Sequence, residues 1–286
     1  MIAPTVDLDR PRSETSRLVR SELRKVRTTN AWWWFALGLL AWTLGALAFN
    51  MFFAYQVFRD PETFGPGIAG FTSPEFHAGN IYTSGQFLGL MFVMIIGILM
   101  VTNEFHHQTA TATFLATPRR TTVIVNKLVA AVMIGVVFGV ATTLIALAAG
   151  TVFFQTQDMG TLLDDWTVQR AIMLNLVAFG VWTVLGVAIG TLIINQLAAT
   201  LTAAGLYLVG TQLVGLVFFL LAEWLDNETI LEWQVIVPSI ASQVMTVGGD
   251  DVPGAPSWWV GALVLLGYAV AAGVAGVLIT RRRDIS

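Results

Sequence analysis

The chain has 286 residues, 56% of them hydrophobic and 12% charged, with a formal net charge of −3. A soluble domain carries about 25% charged residues, so an ordinary water-facing surface is excluded. There is no cysteine, which excludes disulfides, thiolate zinc sites and cysteine nucleophiles together.

Residues 1–12 hold Pro4, Pro11 and alternating charges, the composition of a disordered N-terminus. Residues 13–30 predict an interfacial helix. Val19, Leu23 and Val26 fall on one side at 3.6-residue spacing with arginines around them. A basic amphipathic helix of this kind lies in the headgroup plane. Trp32-Trp33-Trp34 follows where interfacial aromatics belong. The basic stretch is long, and no small-residue cleavage pattern ends the first apolar run, so this is not a signal peptide and the first span should be retained.

Residues 31–280 predict a six-span domain. Its apolar runs are 32–56, 84–102, 123–154, 171–194, 197–222 and 258–280. Each is long enough to cross about 30 Å of hydrocarbon as a helix. The third exceeds that need and should tilt or project. Residues 281–286 form a short tail. Lysine and arginine set orientation. With the N-terminus inside, thirteen of the fifteen fall on the cytoplasmic side, leaving Arg59 and Arg170 outside. Twelve of the eighteen acidic residues then lie outside, Asp60, Asp164, Asp226 and Asp250 among them. The expected location is the cell inner or plasma membrane, with both termini cytoplasmic.

The first external loop, 59–80, is rich in Pro and Gly without a clear period. A tight turn at Asn195-Gln196 joins the fourth and fifth spans. Between the fifth and sixth, 230–237 and 240–247 are apolar but too short to span. A re-entrant external hairpin of short helices around Pro238 fits them. Its expected cap residues are Ile236, Val237, Pro238 and Ile240, with Trp224, Trp233, Trp258 and Trp259 at the outer interface.

A polar island, 103–120, separates the second and third spans and ends in Thr117-Pro118-Arg119-Arg120. A short helix is the natural reading, because a lone strand here would lack pairing partners. In such a helix Phe105, Thr109 and Thr113 share one side, and Pro118 stops it. Glu104 ends the second span, where a carboxylate opposes the helix dipole. Arg119, Arg120 or the next helix N-terminus would offset this. His106-His107 has only His77 as a further histidine, and that lies on the other side, so a zinc site is not expected.

Together the island, the hairpin and the ending resemble the membrane subunits of ABC-2-type exporters. The family pattern is Glu, aromatic, basic residue, Gly-Thr, a spaced Thr, then Pro-x-Arg and a downstream Lys. Glu104, Phe105, Thr109, Thr113, Pro118, Arg120 and Lys127 match it. Gln108 stands where glycine is common, and His106-His107 where arginine is common. Val237-Pro238 and Arg281-Arg282-Arg283-Asp284 are also similar. The resemblance implies an all-α membrane protein: six transmembrane helices, an N-terminal interfacial helix, a cytoplasmic coupling helix between spans 2 and 3, and re-entrant external helices between spans 5 and 6. It implies an ATPase-coupling surface of Glu104, Phe105, His107, Thr109, Thr113, Phe114, Pro118, Arg119 and Arg120. It also implies two copies of a separate ABC ATPase subunit, and a second permease copy or paralogue.

No glycine here precedes a lysine, so a phosphate-cradling P-loop is absent and this chain is not itself an ATPase. ATP and Mg would belong to the partner, with no cofactor in this chain. The partners are then the ATPase, the second permease and membrane lipids, with no nucleic acid. Gly85/Gly89, Gly135/Gly139 and Gly186/Gly190 allow close helix approach, within the chain or at a dimer seam. The span interiors are read as free of ionisable residues, which disfavours an ion-coupled carrier. A pathway lined by Asn50, Gln86, Asn175 and Gln212 would suit lipophilic or amphiphilic cargo. The alternative is a membrane-embedded enzyme of lipid metabolism, using His77, Glu75, Asp164 or Asp165.

Overall fold

In the computed structural model, residues 14–60, 73–109, 120–248 and 256–282 are described, and among them no strand occurs. Six helices are long and apolar enough to cross a membrane. The chain is thus consistent with a multi-pass membrane protein.

Helix α1 (Glu14–Thr28) turns at Thr29-Asn30 into α2 (Ala31–Arg59), the first span. The indole Nε1 of Trp32 donates to the Arg27 carbonyl at 3.2 Å and fixes the corner. The expected loop 59–80 is helical in its last part. Ser73 caps α3 (Pro74–Tyr82), its Oγ accepting from the Phe76 amide, with Pro74 at the first helical position. A capping serine followed by proline is a helix start, legible in the sequence once the lack of periodicity is set aside. After a turn at 83–85 the chain continues as α4 (Gln86–His106), so the second span runs as a broken unit from Pro74 to His106.

Helix α5 (Arg120–Thr156) is the third span, and α6 (Trp166–Leu192) the fourth, capped by Asp165. Asn195 caps α7 (Gln196–Gly205), which passes through a π-helical turn, Leu206–Gly210, into α8 (Thr211–Leu225). These three pieces form the fifth span. A short α9 (Thr229–Glu232) and a 3-10 turn (Trp233–Ile236) then meet α10 (Pro238–Val247) at 108°. Val237 is extended there, as a residue before proline prefers. Helix α11 (Trp258–Arg282) is the sixth span.

The core is built around α4 and α6. A Cβ at Gly97 would run into the Thr183 carbonyl, and one at Gly186 into that of Met94. Gly89, Gly135 and Gly139 all receive Phe179 or its backbone, and Gly190 receives Ile98. The glycine pairs therefore serve packing within the chain, and the small residues let backbones approach. The fifth and sixth spans carry many exposed leucines, such as Leu201, Leu213 and Leu266.

One expectation is corrected. The spans are not free of ionisable side chains. Lys127 lies two turns inside α5 and His77 lies in α3, and both are buried. Helix α5 begins at Arg120, three residues before the apolar run.

Candidate functional site

The chemistry on the α1 side begins with that lysine. Its Nζ donates to Glu22 Oε2 at 2.5 Å, to Glu104 Oε1 at 3.0 Å and to the Met100 carbonyl at 2.9 Å. Lys25 donates to Glu22 Oε1 and to Glu104 Oε1, each at 2.6 Å. Two ammonium groups thus face two carboxylates, drawn from α1, the end of α4 and the start of α5. Lys127 is only 1% exposed, and all three of its donors are used. A buried cation is tolerated only when it is paired in this way. Burial pushes the Glu22 carboxyl up, but Lys127 and Lys25 outweigh it and hold it below its ordinary 4.5. Burial pushes Lys25 down, but Glu104 and Glu22 outweigh that and hold it above 10.5.

Sequence reasoning gave Glu104 a partner in Arg119, Arg120 or the next helix N-terminus. Among the described residues its partners are Lys25 and Lys127. Glu22 and Lys25 were missed, although a signal existed: Glu22 shares the apolar face of α1 with Val19 and Val26.

The island starts with a shaped helix end. The Thr109 amide donates to the Glu104 carbonyl at 2.9 Å and the Gln108 amide to that of Phe105 at 3.2 Å. Gln108 sits at φ 55, left-handed. This is a Schellman end, whose left-handed position favours glycine. Gln108 adopts this geometry at some cost. The helix stops here, so Phe105 and Thr109 do not continue as one helical face. Phe105 is half-buried, and His107 and Thr109 are exposed. A cleft of about 290 Å³ is lined by Lys25, Glu104, His107 and Thr109, among others. Thr113, Phe114, Pro118, Arg119 and the Arg120 side chain lie outside the described residues.

On the other side, Asn50, Gln86 and Gln212 line one cavity of about 520 Å³ with Asn80, Ser84 and Gln243. Its described lining carries amides and hydroxyls but no charge. Asn50 Nδ2 donates to Ser84 Oγ at 2.9 Å. Asn175 does not join them. It is buried between α5 and α6, donating to Thr143 Oγ1 at 3.2 Å.

Helix α10 closes against this cavity through small polar groups. Trp182 Nε1 donates to Ser242 Oγ at 2.8 Å. Thr246 Oγ1 donates to Gln86 Oε1 at 3.2 Å, and Gln86 Nε2 to the Ser242 carbonyl at 3.4 Å. Ser239 and Thr211 hydroxyls pair at 2.6 Å. Of the expected cap residues, Ile236 is exposed and Val237, Pro238 and Ile240 are half-buried. The buried face of α10 is formed by Ser239, Ala241, Ser242, Met245 and Thr246, small and largely hydroxylic. Tyr207, in the π-helical turn, was also missed. Its hydroxyl donates to the Phe87 carbonyl at 2.5 Å, and its ring meets Trp182 edge-on at 4.9 Å.

Of the residues proposed for enzymatic chemistry, His77 and Asp165 have structural roles. His77 is buried among Phe53, Phe58 and Phe76. Asp165 Oδ1 accepts from the Thr167 and Val168 amides as a helix cap. Among the described residues no group of three or more His, Cys, Asp or Glu could hold a metal.

No protein-family model matches the chain, and no curated protein matches it.

Proposed function

We propose that this chain is the permease subunit of an ATP-driven exporter of the ABC-2 type, moving a lipophilic or amphiphilic cargo. A separate ATPase subunit, in two copies, binds the 103–120 island from the cytoplasm. Two permeases flank the pathway, both termini face the cytoplasm, and the 229–247 helices re-enter the outer leaflet.

The observation that carries this reading is the ionic cluster at the root of the island. A partner pushing on the island moves the end of α4. Through Glu104 that motion reaches α1 by Lys25 and the start of α5 by Lys127, so three elements shift as one. The unlike end supports the same reading. Its bent helices close a cavity with no charged described lining, through bonds from Gln86, Trp182, Ser239 and Thr246 that are neutral. Lys127 does not turn the chain toward ion coupling, because its charge is cancelled and it sits near a helix end. The lipid-enzyme alternative loses two of its candidates to structural roles: His77 is buried among rings and Asp165 caps a helix.

Purification of the native complex from membranes in mild detergent tests the proposal. An ATP-hydrolysing chain should co-purify with this one. A complex holding no nucleotide-binding chain would overturn it.

A further inference from the structure

A groove of about 960 Å³ runs between α1, α2 and α5. One end is lined by Arg20, Arg24 and Arg27. These recur at helical spacing on the face of α1 turned away from Glu22, and all three are exposed. None of them is ion-paired among the described residues, where Lys25 and Lys127 take the carboxylates. Among the described residues, no acidic side chain lines the groove. Beyond the arginines the walls are apolar, from Met133 through Val137 and Ala141 to Ile145 on α5. That stretch rises about 18 Å at about 1.5 Å per residue, a little over half of a hydrocarbon core about 30 Å thick. Of the described α5 residues that line it, Thr142 alone carries a hydroxyl, already bonded to the Phe138 carbonyl at 3.2 Å.

A cationic mouth on an apolar slot one leaflet deep matches one kind of molecule. The geometry points to an anionic phospholipid held in this groove, its phosphate on Arg20, Arg24 and Arg27 and one acyl chain along α5. The arginines suit a phosphate because each offers a planar fork of donors. The lipid comes from the leaflet against which α1 lies. It would fill the gap that α1 leaves between the first and third spans and keep α1 seated over its ionic cluster. This inference rests on the spans crossing a bilayer and does not need the exporter reading.

The test uses the full chain reconstituted in vesicles of equal phosphatidylglycerol and phosphatidylcholine. Retained lipid is counted by native mass spectrometry after extraction. One phosphatidylglycerol per chain is expected, preferred over phosphatidylcholine by about tenfold or more, since each basic residue near an anionic surface is worth about fivefold. Arg20→Gln/Arg24→Gln/Arg27→Gln should bring the two lipids to parity, while the corresponding triple lysine variant keeps part of the preference. Ala141→Phe fills the slot and should lower retention with the arginines intact, so the inference stays testable if the glutamine variant fails to fold. Equal retention of both lipids by the wild type would overturn it. So would an unchanged preference in the glutamine variant, or displacement of the lipid by inorganic phosphate alone. Oxidative cross-linking of a Leu40→Cys variant to a second copy would overturn it as well, by giving the groove a protein occupant. Absence of a co-purifying ATPase would leave these results unchanged, which separates the two claims.

Discussion

The two ends of the bundle solve the same problem with opposite chemistry. At the α1 end, Glu22, Lys25, Glu104 and Lys127 bury full charges and cancel them. At the α10 end, Gln86, Trp182, Ser239, Ser242 and Thr246 use neutral donors and acceptors, and Arg170 adds a charged donor to the Gly248 carbonyl at 3.2 Å. A buried ion pair is costly to break from one side, because the remaining charge has lost its partner. A neutral bond inside a bundle averages about 0.6 kcal/mol. The α1 end is therefore suited to transmitting motion without coming apart, and the α10 end to opening and reclosing.

The largest expected effect breaks the first end. Lys127→Met leaves Glu22 and Glu104 to share Lys25, and should cost about 3–5 kcal/mol. In thermal unfolding of the detergent-solubilised chain, that is a fall of about 10 °C. Adding Glu22→Gln should recover part of the loss. An unchanged midpoint in the single variant would mean the cluster is not held as described.

Titration acts on the same end without mutation. The folded Glu22 value is lowered, so its contribution is present above its ordinary 4.5 and is lost as pH falls through the lowered folded value. The folded Lys25 value is raised, so its contribution is present below 10.5 and is lost as pH rises through the raised folded value. Helix α1 should stay docked between these limits and loosen beyond either. Spin labels introduced by cysteine at Arg17 and Gln108, in a chain with no other cysteine, would report the distance. A spacing that drifts across neutral pH would contradict the assignment.

The second end should respond more gently. Gln86→Leu removes two weak bonds to α10 and should cost about 1 kcal/mol. Amide exchange should rise about fivefold across α10 and stay unchanged in α1. Equal acceleration in both helices would erase the contrast between the ends.

The smallest effect sharpens the hinge between α4 and the island. Gln108→Gly relieves a left-handed residue at φ 55 and should stabilise by about 0.5–1 kcal/mol after the entropic cost of glycine. A small rise in melting temperature is expected. A fall would show that the Gln108 side chain holds the turn.

These ends differ in how far the sequence exposed them. The six spans and α1 were legible because hydropathy and 3.6-residue spacing are local signals. Asn50, Gln86 and Gln212 were legible as polar residues in apolar runs, and they do share a cavity. Asn175 carried the same signal but is spent on Thr143, and only the packing of α5 on α6 decides that. The ionic cluster joins Glu22 to Lys127 across more than a hundred residues, and no local pattern encodes such a pairing. Lys127 looked like a flanking charge because it falls within the first turns of the 123–154 run. The seal on α10 was illegible for another reason. Serines and threonines in a short helix read as surface, until Trp182 and Gln86 are seen to meet them.

The most direct test of the account is ATP hydrolysis by the co-purified native complex, compared among the wild type, Glu104→Gln and Gln86→Leu. Wild type and Gln86→Leu should both bring down an ATP-hydrolysing chain whose rate rises with the permease bound. Glu104→Gln should retain the fold but lose most of that rise, because the island no longer pulls on Lys25 and Lys127. A wild-type preparation without ATP hydrolysis, or three preparations hydrolysing alike, would contradict the account.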